Sequence, residues 1–242
     1  MNQIHPSAVI HKEAQLSDGI SIGPNCLIEK GVSIGAGTIL EANVVIDRDV
    51  TVGERNHFYA NCVIGSRPQL LHLDQNTVTG GLVINFFMVG VHIGHDCIVE
   101  DKTVLSNYVQ IGGHCWIQTG AWMSGLAASH QFVTIGKWCY VAGLAGINKD
   151  ITPFVIVSGH YPQKVRGVNV RGLTRAGLCK EDKEKICHAF RRLYREGNVL
   201  LENAKALANE DGLDENVKAM IDAITRSSQH RFGRYRELSR KH

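Results

Sequence analysis

The chain has 242 residues, of which 44% are hydrophobic and 20% are charged, a composition typical of soluble proteins. Its N-terminus shows no basic leader followed by an apolar stretch, and no apolar run approaches the ~20 residues of a membrane-spanning helix. We therefore expect a cytoplasmic protein with no integral membrane span, in which the seven cysteines are reduced thiols.

Charge is unevenly divided along the chain. Residues 1–163 carry 8 Lys/Arg and 12 Asp/Glu, whereas residues 164–242 carry 18 Lys/Arg and 11 Asp/Glu. A basic C-terminal third indicates an anionic partner. This third has few aromatic residues and no known nucleic-acid-binding motif, so we do not expect the partner to be a nucleic acid.

A large apolar residue returns at every sixth position over the first two thirds of the chain. One run covers residues 4–64 and a second covers residues 87–147, with Ser129 as the one polar member. This period is the signature of a hexapeptide β-helix, in which three hexads make one triangular coil and residues 18 apart stack. We predict a mainly β fold, with a left-handed parallel β-helix over residues 1–163 and a helical region over residues 164–242.

Five cysteines occupy the fifth position of their hexads, where small residues recur. They are Cys26, Cys62, Cys97, Cys115 and Cys139. Because a free cysteine packs as a small hydrophobic residue, we expect core positions rather than metal ligands or nucleophiles.

The two runs of the repeat are separated by residues 65–85. Positions 64 and 87 are 23 apart, which is not a multiple of six, so the runs are out of phase. We predict a loop excursion that leaves the β-helix, and such loops often carry function.

The C-terminal third has the period of α-helices rather than the six-residue repeat. One helix is predicted over residues 180–197, where apolar residues recur on one face, and two more over 200–209 and 215–234. Lysines and arginines crowd the first of these helices, which suggests a docking surface.

Four histidines gather on one edge of the predicted β-helix. His95, Gly113 and Gln131 are 18 apart and fall in one column. Beside this column lie His92, His114 and His130. A cluster of ionisable side chains at one edge favours a functional site over isolated surface histidines.

Two kinds of chemistry fit this cluster. The histidines could bind zinc, but His92 and His95 span a corner and no third ligand has a suitable spacing, so we expect no metal. Alternatively, His95 acts as a general base and Asp96 orients its imidazole. The N–H of Gly113, one coil away, could then stabilise an oxyanion. A base together with an oxyanion donor predicts acyl transfer.

Four segments resemble a known family: HIGHDC at 92–97, GGHCWI at 112–117, SHQFVTIG at 129–136 and GVNVRGLTRAGL at 167–178. They are similar to the acyl-carrier-protein:UDP-N-acetylglucosamine O-acyltransferases of lipid A biosynthesis, and the resemblance covers nearly the whole chain. It implies an enzyme that needs no cofactor and moves a hydroxyacyl chain from acyl carrier protein to the 3-position of the nucleotide sugar. It also implies a homotrimer with active sites between subunits.

The resemblance assigns roles to individual residues. His95 takes the position of the catalytic base, Asp96 that of its carboxylate and Gly113 that of the oxyanion donor. Gly143 lies where side-chain size limits the length of the acyl chain. The substrate-binding positions are His72, His92, His114, His130, Gln131, Asn169 and Arg175, the last two reached from a neighbouring subunit.

One segment departs from the family pattern. The family has Gln-Asp-Leu-Lys in the excursion, followed by a further coil and a second loop. This chain reads Gln69-Leu70-Leu71-His72 and is shorter by about one coil, with His72 in place of the lysine. Two alternatives therefore stay open. One is the same chemistry on another nucleotide (amino) sugar, and the other is a catalytically silent paralogue that binds sugar nucleotide or carrier protein.

Overall fold

The computed structural model describes residues 1–66 and 85–239. His72, and with it the segment that departs from the family pattern, lies outside the described residues. So does most of the predicted excursion.

Short strands recur every six residues through the first repeat run. They are β1 (Gln3–Ile4), β2 (Val9–Ile10), β3 (Gln15–Leu16), β4 (Ser21–Ile22), β5 (Leu27–Ile28), β6 (Ser33–Ile34), β7 (Ile39–Leu40), β8 (Val45–Ile46), β9 (Thr51–Val52), β10 (His57–Phe58) and β11 (Val63–Ser66).

The second run continues the same pattern. Its strands are β12 (Phe86–Phe87), β13 (His92–Gly94), β14 (Ile98–Val99), β15 (Val104–Leu105), β16 (Gln110–Ile111), β17 (Trp116–Ile117), β18 (Trp122–Met123), β19 (Ala128–Ser129), β20 (Thr134–Ile135), β21 (Tyr140–Val141) and β22 (Gly146–Ile147). Two longer strands follow, β23 (Val155–Ser158) and β24 (Lys164–Val168).

Within each repeat run, every third strand belongs to the same face of the solenoid. The described strands form a ten-stranded sheet, an eight-stranded sheet and two three-stranded sheets, which is the topology of a chain that coils through three faces. Within each run, neighbouring strands pair in parallel with partners 18 residues apart, as in Gln3 with Ser21. The final pair, β23 with β24, is antiparallel. The predicted parallel β-helix is confirmed.

The core consists of the repeat's apolar positions. The second residue of each strand from β4 to β22 is buried, and Phe58 and Phe87 stack in neighbouring coils with ring centroids 5.1 Å apart. All five fifth-position cysteines are buried free thiols, as predicted. Desolvation raises the pKa of Cys62 and of Cys139 to about 12, which keeps these thiols protonated.

The β-helix continues across the break in the repeat. His57 pairs with Phe86, and Ile64 pairs with Ile93, so the coils on either side of the interruption stack directly on each other. The ten- and eight-stranded sheets therefore cross the phase change of the sequence, whereas the third face is divided there into its two three-stranded sheets.

Helices follow the last strand. They are α1 (Val170–Arg175), α2 (Lys180–Arg195), α3 (Leu200–Ala208) and α4 (Glu215–Ser228), followed by a 3-10 helix at Tyr235–Ser239. The predicted apolar face of α2 is buried. None of the helices in the described part of the chain is long and apolar enough to cross a membrane.

Two details of the helical prediction were wrong. Helix α1 was not predicted, because its six residues are too short to show a period. The last predicted helix ends at Ser228, with Gln229 as its C-cap, rather than at 234, and the chain then turns at Gly233, where φ is +65°. The division of the chain at residue 163 stays a prediction. Strand β24 follows this position and pairs with β23 of the ten-stranded sheet.

Candidate active site

His95 and Asp96 form the turn that joins β13 to β14. Asp96 has a φ of 55°, a left-handed conformation that short polar side chains tolerate. Its Oδ2 lies 2.6 Å from Nδ1 of His95, whose side chain is only 11% exposed. An imidazole that donates from Nδ1 to this carboxylate keeps its lone pair on Nε2. Nε2 is therefore the nitrogen that can accept a proton.

Gly113 provides the space for the His95 ring. A Cβ added to Gly113 would lie 2.5 Å from Nε2 of His95, closer than any side chain allows. Among the described residues, the N–H of Gly113 makes no hydrogen bond, which leaves it available to a ligand. The base and a free backbone donor thus lie side by side on neighbouring coils.

His114 completes the enclosure of His95. Its ring meets that of His95 edge to face, with centroids 4.7 Å apart, and stacks on Phe132 at 4.5 Å. Its Nε2 is 3.7 Å from Oδ2 of Asp96. Asp96, His114 and Phe132 all have positive φ and are spaced 18 residues apart, so they form one corner column.

The other predicted substrate residues of this edge surround the corner. A Cβ on Gly112 would lie 2.7 Å from the N of Gln131, which places Gln131 on the next coil. His130 is exposed, and its Nδ1 is 3.1 Å from the carbonyl of Gln131. Burial lowers the pKa of His92, which favours its neutral ring.

Asn169 and Arg175 lie on a different face. Asn169 caps α1, with Oδ1 accepting from the N of Gly172 at 3.1 Å, and its Nδ2 donates to the carbonyl of Trp138 at 2.8 Å. The guanidinium of Arg175 lies 4.6 Å from the ring centre of Trp122. Asn169 and Arg175 line a cleft of about 580 Å³ against the ten-stranded sheet. Because His95 follows a strand of the eight-stranded sheet, the structure does not bring the two groups together within the described part of one chain.

Gly143 lies in the turn between β21 and β22. It is exposed, and an added Cβ would lie 3.3 Å from the carbonyl oxygen of Gly125. Next to it runs an exposed apolar column that sequence reasoning missed: Tyr108, Leu126 and Leu144. The signal was available, since these apolar residues occupy outward-facing positions 18 apart.

A metal ion is the other ligand that this corner could hold. The ligand atoms of His95, Asp96 and His114 lie within 4.8 Å of one another. However, two ligands of a tetrahedral zinc ion stand roughly 3.3 Å apart, given zinc–ligand bonds of about 2.0 Å. The 2.6 Å between His95 and Asp96 is the distance of a hydrogen bond, so this turn would have to open to bind metal.

Comparison with known proteins identifies the family. Residues 150–233 match the family model described as UDP N-acetylglucosamine O-acyltransferase, domain 2. An acyl-(acyl-carrier-protein)–UDP-N-acetylglucosamine O-acyltransferase of Paraburkholderia phymatum is 38% identical over 261 residues, covering 95% of this chain and 98% of that relative. The chain belongs to this acyltransferase family.

Two further members of this family match the chain, one over part of its length and one over nearly the whole fold. The match to the relative from Synechocystis sp., at 40% identity, spans 46% of this chain but only 40% of that relative's length. A solved structure of the UDP-N-acetylglucosamine acyltransferase from Campylobacter jejuni superposes with a TM-score of 0.80 at 30% identity, covering 92% of this chain and 96% of that one.

Proposed function

We propose that the protein transfers a hydroxyacyl chain from acyl carrier protein to the 3-position of a UDP-N-acetylglucosamine-type nucleotide sugar, an early step of lipid A biosynthesis. The observation that carries the proposal is the His95–Asp96 pair packed against Gly113. Family membership supports the choice of substrates, since the relatives' names include both the carrier protein and the nucleotide sugar.

The geometry supports a general-base mechanism. Nε2 of His95 takes the proton of the sugar hydroxyl, and the hydroxyl oxygen attacks the carbonyl carbon of the thioester. The negative charge that develops on the carbonyl oxygen is stabilised by the N–H of Gly113. The intermediate then collapses, the thiolate of the carrier's prosthetic group leaves, and the proton on His95 passes to it. Asp96 stabilises the imidazolium between these steps.

The remaining predicted residues serve binding in this proposal. His92, His114, His130 and Gln131 line the cleft around the base. Asn169 and Arg175 reach the nucleotide sugar of a neighbouring subunit in a homotrimer, which agrees with their position on another face of the chain. A side chain at position 143 limits how far the acyl chain extends.

The test is product analysis on the purified protein. We expect acylated UDP-N-acetylglucosamine when the protein is incubated with hydroxyacyl carrier proteins of several chain lengths and a panel of UDP-sugars, with detection by mass spectrometry. If only a UDP-amino sugar were acylated, that sugar would replace UDP-N-acetylglucosamine as the acceptor. Binding of sugar nucleotide without any product would favour a catalytically silent paralogue. The same assay in EDTA tests the metal-free assignment, because activity that zinc alone restores would contradict it.

A further inference from the structure

The C-terminal segment of residues 229–239, here called the clasp, packs on the corner column of the active site. Asp150 lies beside Thr134 on the next coil and anchors the clasp through its backbone and its side chain. Its N donates to the carbonyl of Gly233 at 2.7 Å, and its Oδ2 accepts from the N of Tyr235 at 2.8 Å. Its Oδ1 accepts from the N of Thr134, so one carboxylate joins the clasp to the β-helix.

A buried arginine strengthens this attachment. Arg234 is 8% exposed and donates to the carbonyl of Asn148 at 3.1 Å. It also forms an ion pair with Glu237 at 2.6 Å within the clasp. Buried charged groups that are paired in this way hold a defined geometry, so the clasp is a fixed part of this edge.

From this anchored position, Arg236 reaches the active site. Its Nε donates to the carbonyl of His114 at 2.7 Å. The N of His114 donates to the carbonyl of His95 at 2.8 Å. The backbone of His114 is therefore held from both sides, by the coil that carries the base and by the clasp.

We infer that Arg236 is a positioning residue for acyl transfer, which holds the Gly113–His114 turn against His95. The inference rests on the proposed function. Gly113 and the His95 ring are in contact, so a small shift of this turn changes both the position of the oxyanion donor and the room for the base. Such a shift costs most in the transition state, where both groups act at once.

The test compares Arg236→Ala and Arg236→Lys with Arg231→Ala in the full-length protein. Arg231 belongs to the same clasp but is exposed and lies over Phe232, so its loss removes an equal charge without touching the turn. We expect Arg236→Ala to lower kcat by roughly 10- to 100-fold with little change in either KM. Arg236→Lys should keep most of the activity, and added guanidinium ion should partly restore Arg236→Ala. Arg231→Ala should keep the kcat of the wild type.

Several results would overturn the inference. These are an unchanged kcat in Arg236→Ala, an equal loss in Arg231→Ala, or a change in KM alone. Should Arg236→Ala fail to fold, Arg236→Gln, which keeps an amide donor without the charge, takes its place in the same comparison.

Hydrogen exchange separates this inference from the proposed function, because it needs no activity. The amide of His114 should exchange faster in Arg236→Ala than in the wild type or in Arg231→Ala. Equal exchange in all three proteins contradicts the positioning role. An inactive wild type would refute the proposed function and leave this measurement to decide the role of Arg236.

Discussion

His95 is enclosed by groups that leave it one reactive nitrogen. Nδ1 is 2.6 Å from Asp96, the ring of His114 closes one side, and Gly113 lies beside Nε2. An imidazole with one free ring nitrogen can accept a proton and return it.

His95→Ala should lower kcat by about 10²- to 10⁴-fold, the usual contribution of a general base. Asp96→Asn should cost less, because asparagine tolerates the same left-handed backbone and the base itself remains. His188→Ala, which changes an exposed histidine of α2, is the matched control in the same assay. Near-normal turnover of purified His95→Ala would remove His95 from the mechanism.

Gly113→Ala should lower kcat by at least ~100-fold, because the new methyl group must displace the His95 ring. Gly167→Ala is the control, since an added Cβ there meets no atom within 4 Å. Both variants should keep a melting temperature near that of the wild type, measured by circular dichroism. Full activity of Gly113→Ala would show that the ring does not need this space.

At the scale of elements, the basic helix α2 presents only part of its charge to solvent. Lys185 pairs with Glu181 at 2.9 Å, and Arg192 pairs with Glu210 and Glu196. No ion pair within the described chain involves Lys183 or Arg191. These two residues are two helical turns apart and so lie on one side of the helix. Arg195 also lacks an ion pair in the described chain, but it donates to the carbonyl of Arg166 and lies over the ring of Phe190. Lys183 and Arg191 are therefore the cations that we choose to test for an anionic partner.

Lys183→Glu combined with Arg191→Glu should raise the KM for acyl carrier protein several-fold and leave that for the nucleotide sugar unchanged. Attraction between exposed charges acts mainly on the association rate and is screened by salt. Lys205→Glu on α3 is the control, and KM is measured at two salt concentrations. If KM for the carrier does not respond to salt or to the double reversal, α2 is a solvated face rather than a docking surface.

The junction between the clasp and the β-helix contains the carboxyl group of Asp150. Burial raises the pKa of Asp150 from 3.8 to about 6, although hydrogen bonds from Tyr235 and Thr134 oppose the shift. Because the pKa is higher in the folded state than in the unfolded state, the folded state binds more protons between these values. The contribution of Asp150 to stability therefore falls as the pH rises from about 4 to about 6.

Asp150→Asn should flatten this part of the stability profile. The free energy of unfolding of the wild type, relative to that of Asp150→Asn, should decrease between pH 4 and pH 7 by at most ~3 kcal/mol. Urea unfolding of both proteins at equal concentration measures the difference. Parallel profiles for the two proteins would show that Asp150 does not titrate in this range.

At the scale of the whole molecule, the candidate site is divided between two faces of the chain. His95, Asp96 and Gly113 lie at a corner next to the eight-stranded sheet, whereas Arg175 lies against the ten-stranded sheet. A closed homo-oligomer can join two different faces of neighbouring subunits at every interface. The proposed trimer would thus form three complete sites.

Mixing inactive variants tests this arrangement. His95→Ala and Arg175→Ala, unfolded and refolded together in equal amounts, should regain about a quarter of the wild-type sites. Each of the two faces at an interface is intact in half of the subunits, so both are intact at about one interface in four. Each variant refolded alone is the control, and activity is measured per subunit. If the mixture is no more active than the controls, both residues act within one subunit or Arg175 is not part of the site.

The sequence alone was enough to predict the β-helix, its buried cysteines, helix α2 and the corner where His95 lies one coil from Gly113. These features follow from local periods: a six-residue repeat places residues 18 apart in contact whatever else the chain does. Other features became visible only in the folded chain. They are the contact between Arg236 and His114, the anchoring of the clasp by Asp150 and the separation of Arg175 from His95. These features depend on how the C-terminal helices pack on the β-helix, which brings together segments far apart in sequence. A local repeat carries no information about such packing.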